Sequence, residues 1–230
     1  MNLIKQLPLG LGLACFMFMS SCSKEEAVTP GSAVTNESSN LRQGGPVFVP
    51  IYHFPSTNGP TCVGCMPGKW HLGKTKLDAT SSLTAYAGNP SKKWVQPLPT
   101  PSTGSGSIVT MVGEKSYYGY VSANAENLIP GKKYKLTFSI SRTALNEANG
   151  TGPYAATADL HVRDVNSNNI ITEKVIDFNG KKNEWVTETI EFIATFHKQE
   201  FDFHSENPQG ESKLTYTNIH VGENAVQQLN

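Results

Sequence analysis

Charge of one sign, long apolar runs and helical spacing are all scarce in this sequence, and each absence removes a class of protein. The 19 Lys and Arg balance the 19 Asp and Glu, and no basic block or aromatic-plus-basic run occurs, so no nucleic-acid partner is expected. The longest apolar run, 7–18, is too short to span a bilayer as a helix. No long stretch repeats apolar residues every 3.6 positions, which argues against a helical fold. Nucleophile-elbow, metalloprotease-helix and phosphate-loop motifs are missing too; Gly104-Ser105-Gly106-Ser107 lacks the flanking strand and helix that would give it meaning. No motif therefore supports catalysis; a glycosidase needs two carboxylates brought together by the fold rather than by a motif. No metal and no cofactor are expected.

What is present begins with an address. Lys5 supplies a positive start, 7–18 an apolar core, and Ser20-Ser21 the small residues a signal peptidase requires. Cys22, placed behind them, resembles the acylated cysteine of a bacterial lipoprotein. Cys15 competes for the role, but choosing it cuts the apolar region to about eight residues. Ser23-Lys24-Glu25-Glu26 is similar to the Cys-x-Lys-acidic-acidic export signal of Bacteroidetes lipoproteins, with Lys24, Glu25 and Glu26 as its charges; the plainer reading is the start of a solvated tether. The resemblance implies a signal peptide over 1–21, a lipid-anchored chain and a place on the outer membrane, on its extracellular face. Several acyl chains, at about 0.8 kcal/mol per buried methylene, hold a protein on a membrane far more firmly than one does. Residues 22–46 carry only isolated apolar side chains (Val28, Val34, Leu41) among Ser, Thr, Asn, Gly and Pro, which predicts a flexible tether.

Residues 47–230 read as one β domain. The run 47–54 is broken by Pro50 and suits an edge or bent strand. Tyr134, Leu136, Phe138 and Ile140 alternate with polar neighbours, as do Ala156 to Val162, Val186 to Phe192, and Phe201 with Phe203. Leu214 and Tyr216 are out of phase with Ile219 and Val221, as a bulge would leave them. Turn signals at Ile129-Pro130-Gly131, Asn166 to Asn169 and Asn179-Gly180 separate these runs. Short alternating strands between frequent turns predict an all-β sandwich or jelly roll.

Three segments in order, Asn127 to Phe138 with its Leu-x-Pro-Gly-x-x-Tyr turn, Asn183-Glu184-Trp185-Val186, and Thr215 to Val221, resemble the galactose-binding-like jelly rolls that include many carbohydrate-binding modules. That resemblance implies a Trp185 in the core and a glycan as ligand. The acidic residues that hold calcium in such domains have no counterpart: Thr217 stands where an Asp would fit.

Sugar rings stack on flat aromatics, each contact being worth about 1 kcal/mol, so Trp70, Trp94 and Tyr118 are the candidate ligand-binding residues. Trp70 lies in a polar loop between Lys69 and His71, and Tyr118 shares a strand face with Tyr120. Asp159, His161 and Arg163 form a polar strand face that reads as solvated. Cys62 and Cys65, the pair left after maturation, are expected to form a disulfide in a turn-rich loop; a zinc site completed by His53 and His71, or a redox pair, are the alternatives. The expected function is non-catalytic glycan binding at the cell surface, the alternative being a structural or assembly role in a surface protein complex.

Overall fold

The computed structural model describes residues 51–60, 62, 64–73, 82–83, 92–113, 119–206 and 213–230. The leader, Cys22, Lys24, Glu25, Glu26, the tether, Tyr117 and Tyr118 lie outside the described residues.

The described chain is all-β and folds into two antiparallel sheets packed face to face. One sheet runs in the order β1 (Trp70–Leu72), β4 (Gly119–Glu126), β11 (Lys198–Ser205), β8 (Thr157–Asp164), β9 (Ile170–Asp177). The other runs β10 (Trp185–Ile193), β5 (Lys133–Thr143), β12 (Thr215–His220), β3 (Ile108–Gly113), β2 (Ser82–Leu83), with β13 (Val226–Gln228) continuing the ladder along β5 past the end of β12. A small hairpin, β6 (Asn146–Glu147) and β7 (Gly150–Thr151), stands apart.

Alternation decides which side chains meet between the sheets. From the five-stranded sheet come Val121, Ala123, Leu160, Val162, Phe201 and Phe203; from the other come Val109, Met111, Tyr134, Leu136, Phe138, Ile140 and Ile219. Phe138 meets Phe203 edge-on at 5.4 Å between centroids, and Phe192 meets Phe201 at 5.1 Å. Such aromatic pairs add roughly 0.5–1.5 kcal/mol beyond the area they bury.

The Leu-x-Pro-Gly-x-x-Tyr turn works as a clasp. Gly131 adopts a φ of 80°, where a side chain is disfavoured. The Lys132 N–H returns to Ile129 O, and the buried Tyr134 hydroxyl accepts the Ile129 N–H at 2.8 Å. One buried ring thereby satisfies the turn's backbone and anchors β5.

Two expectations need correction. β12 has no bulge: its pairing with β3 runs unbroken from Thr215↔Gly113 to Ile219↔Val109, whereas the register shift falls on β8 at Val162/Arg163. Its apparent change of phase arises because all six β12 residues are buried; the strand is covered on both sides. Trp185, expected in the core, is only half-buried and sits on the outer face of its sheet, where its indole N–H donates to Pro99 O at 2.6 Å.

The cover over β12 is the irregular segment 92–107. It is pinned by Val95 N–H to Ala144 O, by Thr103 Oγ1 to Ser139 Oγ at 3.0 Å, and by a Ser102–Thr187 hydroxyl pair. Leu98 beneath it is 2% exposed. Apart from one antiparallel bridge, Trp94↔Leu145, the segment pairs with no strand and spends its polar groups on the sheet it covers.

Candidate functional site: the outer face of the five-stranded sheet

The period of two that sends Val121, Leu160, Val162, Phe201 and Phe203 inward sends their neighbours outward. Register then sets them in rows. One row crosses the sheet as His71, Ser122, Asp202, His161 and Glu173; the next is Tyr120, His204, Asp159 and Val175; a third holds Asn124, Glu200 and Arg163.

These side chains touch. Tyr120 stacks on His204 with centroids 5.1 Å apart, and His204 lies 4.5 Å from His161. The Tyr120 ring in turn abuts the residue just past β1: a Cβ on Gly73 would fall 2.2 Å from it, so a side chain there would have to displace the ring. Arg163 Nε donates to Asp202 Oδ2 at 2.5 Å, Arg163 Nη1 donates to Asn168 O, and Arg163 Nη2 lies 3.5 Å from His161 Nδ1.

Burial makes the electrostatics unusual. Asp159 is pushed up to about 7, first by desolvation, then by its hydrogen bond to Glu206 and the charges of Glu206 and Glu173. His204 is pulled down to about 4 by desolvation and by the neighbouring His161 and Arg163. His161 shifts down as well, burial and Arg163 outweighing Glu173, Asp202 and Glu206. Asp202 shifts up through burial, opposed by Arg163. Near neutral pH both rings are therefore uncharged, and Asp159 keeps its proton for much of the time.

Three buried atoms of this cluster, Asp159 Oδ1, Asp202 Oδ1 and His204 Nε2, have no hydrogen-bond partner. Leaving such an atom unpaired costs about 1–3 kcal/mol, and here three stand on adjacent strands in adjacent rows. The arrangement offers two carboxylate acceptors, an imidazole nitrogen and an aromatic edge to anything rich in donors. Among the described residues no group of three His, Cys, Asp or Glu is arranged to hold a metal ion.

The sequence-level candidates fall elsewhere. Trp70 is 5% exposed, which overturns its role as a stacking platform: its ring packs edge-on to Phe54 at 5.9 Å and against Phe203 at 5.7 Å. Its indole N–H is shared between Pro55 O and Ser56 O. The loop reading missed that Trp70 starts an edge strand whose inward position it occupies. Trp94 is half-buried on the outer face of the other sheet, edge-on to Tyr216 at 4.8 Å, so it shares no surface with the polar rows. Cys62 and Cys65 are joined in a disulfide, Cα atoms 5.3 Å apart, which leaves neither thiolate for zinc. His53 and His71 are exposed; His53 pairs through its backbone with Glu126. Of the polar residues singled out in the sequence, Asp159, His161 and Arg163 do belong to the site, yet they are half-buried rather than merely solvated. Asp202, His204 and Glu206 escaped notice, although the alternation Phe201-Asp202-Phe203-His204 carried the signal of titratable groups on one strand face.

No family model matches the chain, and no curated protein matches it. Solved structures do. A TmCBM61 structure in complex with β-1,4-galactotriose is 16% identical over 71% of this chain and 89% of that chain, with a TM-score of 0.42. A point mutant of CBM29-2, complexed with mannohexaose, is 12% identical over 77% and 91%, with a TM-score of 0.41. A cyclase from Fischerella sp. TAU is 13% identical over 80% and 93%, with a TM-score of 0.47. The sandwich itself stands on the strand pairings above, and nothing about a ligand follows from likeness at this level.

Proposed function

We propose that the protein binds a glycan, without transforming it, on the outer face of the five-stranded sheet, and does so at the cell surface as a lipoprotein. The observation that carries the binding reading is the set of unpartnered buried atoms, Asp159 Oδ1, Asp202 Oδ1 and His204 Nε2, beside the Tyr120 ring. Sugar hydroxyls donate and accept from one atom, so a ring laid along these rows satisfies carboxylate and imidazole together while its C–H face meets an aromatic. A hydrogen bond to a charged group is worth about 1.5–3 kcal/mol net, so a few of them support micromolar to millimolar binding after association costs. Screening the full chain against a glycan array, then following the His161 and His204 ring resonances during titration with the best hit, tests this. Both resonances move if the site is right; binding that leaves them still places the ligand elsewhere.

The anchoring half of the proposal rests on Ser20-Ser21-Cys22 and the charges Lys24, Glu25 and Glu26. Cys22→Ala should abolish acyl labelling and release the protein from membranes, whereas persistent labelling would point to Cys15. Replacing Lys24, Glu25 and Glu26 with Ala should keep the acyl group and remove surface exposure to added protease. One observation favours the assembly reading: the edge strands β9 and β10 expose Ile170, Ile171, Val175 and Ile193, between 39% and 62%, which suits contact with another protein.

A further inference from the structure

Arg142 carries a charge into the sandwich with no acid to meet it. It continues the phase that turns Tyr134, Leu136, Phe138 and Ile140 inward, so its side chain enters between the sheets at the end of β5. There it is 8% exposed and lies 5.9 Å from the buried Phe178 ring. Its Nε donates to Lys181 O and its Nη1 to Ala155 O at 2.7 Å. Among the described residues Nη2 has no hydrogen-bond partner, and unlike the sealed atoms of the polar rows it stays in reach of water. Buried charges are ordinarily paired. Arg163 on the other sheet ends on Asp202, whereas no described carboxylate lies within ion-pair distance of Arg142; Asp177 acts on it only from further off, its Oδ1 accepting the Asn179 N–H at 2.8 Å. A second cation stands beside it. The exposed Lys182 sets Nζ 5.2 Å from the Tyr154 ring, and Arg142 Cζ lies 5.5 Å from the same ring. Glu184, the nearest acid in sequence, pairs with Lys181 at 3.9 Å instead. The Tyr154 hydroxyl accepts from Asn183 Nδ2 at 2.9 Å, which leaves its own proton uncommitted. Asn183 N–H in turn donates to Arg142 O at 3.0 Å, fastening this turn to β5.

We propose that this end of the sandwich binds an oxyanion of an acidic glycan, a carboxylate or a sulfate ester, held by Arg142 Nη2, Lys182 Nζ and the Tyr154 hydroxyl. The inference takes from the glycan reading only the kind of polymer, and its site is separate from the polar rows. All three open groups are donors, and an oxyanion accepts without donating, so it satisfies them together and supplies the counter-charge that Arg142 lacks. A neutral hydroxyl brings no charge and sets its own proton among donors. Because Nε and Nη1 are spent on carbonyls, the guanidinium cannot grip the anion with two parallel bonds. It contributes one nitrogen, and Lys182 and Tyr154 share the rest.

The test is calorimetry of the full chain at pH 7 with tetragalacturonic acid, its neutral methyl ester, a sulfated κ-carrageenan tetrasaccharide and sodium sulfate. At least one acidic tetrasaccharide should bind about tenfold or more tighter than the ester, and which of the two does so tells carboxylate from sulfate ester. The bound tetrasaccharide should shift the Arg142 Nε–H resonance. Lys182→Ala and Tyr154→Phe leave the carbonyl bonds of Arg142 in place; each, checked for an unchanged melting profile, should weaken binding about fivefold or more. Lys132→Ala removes the same charge from the exposed turn before β5, at the strand's other end, and should change affinity by less than about twofold. An equal loss with Lys132→Ala overturns the inference, as non-specific attraction. So does an ester that binds as well as the acids, or sodium sulfate that binds as tightly as the sulfated tetrasaccharide. Binding that moves the His161 and His204 rings and leaves Arg142 Nε–H still overturns this inference while the glycan reading stands. The reverse pattern supports this site and counts against the other.

Discussion

The two outer faces of this sandwich are built from the same kinds of residue and end in opposite states. On the six-stranded sheet Asn218 is wholly buried, yet its Oδ1 accepts from Thr110 Oγ1 at 2.7 Å and its Nδ2 donates to Ser141 Oγ at 3.2 Å and Thr143 Oγ1 at 3.1 Å. Nearby, His220 Nδ1 meets Thr103 Oγ1 at 2.6 Å beneath the 92–107 cover. Every one of these contacts is internal. On the five-stranded sheet Asp159, Asp202 and His204 are also removed from water but keep unpaired atoms. A buried polar group with all its partners specifies a fold; one without them stores a free-energy cost that an incoming ligand can relieve. Saturation, more than polarity, distinguishes scaffold from site here.

That contrast can be attacked in order of size. Trp70→Ala should be the most damaging change, costing about 3–5 kcal/mol, because it empties the space between Phe54 and Phe203 directly under the polar rows. Denaturant unfolding measures it; a loss below about 1 kcal/mol would return Trp70 to the surface. Asn218→Ala strands three hydroxyls at once and should cost roughly 2–4 kcal/mol, with the His161 and His204 resonances of the opposite face unchanged. A perturbed site in that variant would mean that the two faces are coupled.

Stability against pH separates the faces next. Between about pH 4 and 6.5 unfolded His204 takes up a proton that the folded ring, at about 4, refuses, so this group makes stability rise with pH. Folded Asp159, at about 7, keeps a proton that the unfolded carboxyl releases near 3.8, so this group makes stability fall from about pH 4 to 7. The two oppose each other below about 6.5, and Asp159 acts alone above it. His204→Gln should tilt the profile towards a decline through this window, and Asp159→Asn should tilt it towards a rise. A profile unchanged by either substitution would show both groups to be solvated. The smallest effect belongs to the loop outside both faces: Cys62→Ser with Cys65→Ser should cost about 2 kcal/mol or less, since a ring of so few residues removes little chain entropy.

The all-β sandwich was legible because its strands alternate cleanly and its turns carry their own chemistry. Tyr134 to Ile140 read inward as expected, and the Ile129-Pro130-Gly131 turn forms with the Tyr134 hydroxyl on its backbone. Where reading failed, a strand lacked one of those signals. β1 is three residues long, too short to show a period, so Trp70 passed for a loop residue. β12 is buried on both faces, and its alternation vanished into an apparent bulge.

From composition and order alone came the leader with Cys22, the β class, the turns and the Cys62–Cys65 pairing as expectations. Those are local matters, decided within a few residues of chain. Which of the two sheets holds the polar groups that lack partners was decided only when β11 took its place between β4 and β8. Asp159 and Asp202 are 43 positions apart in the sequence, and neither has an unusual environment until the strands pair. Desolvation, register and the presence or absence of a covering segment are properties of the assembled sheets, and they alone separate Asn218 from Asp202.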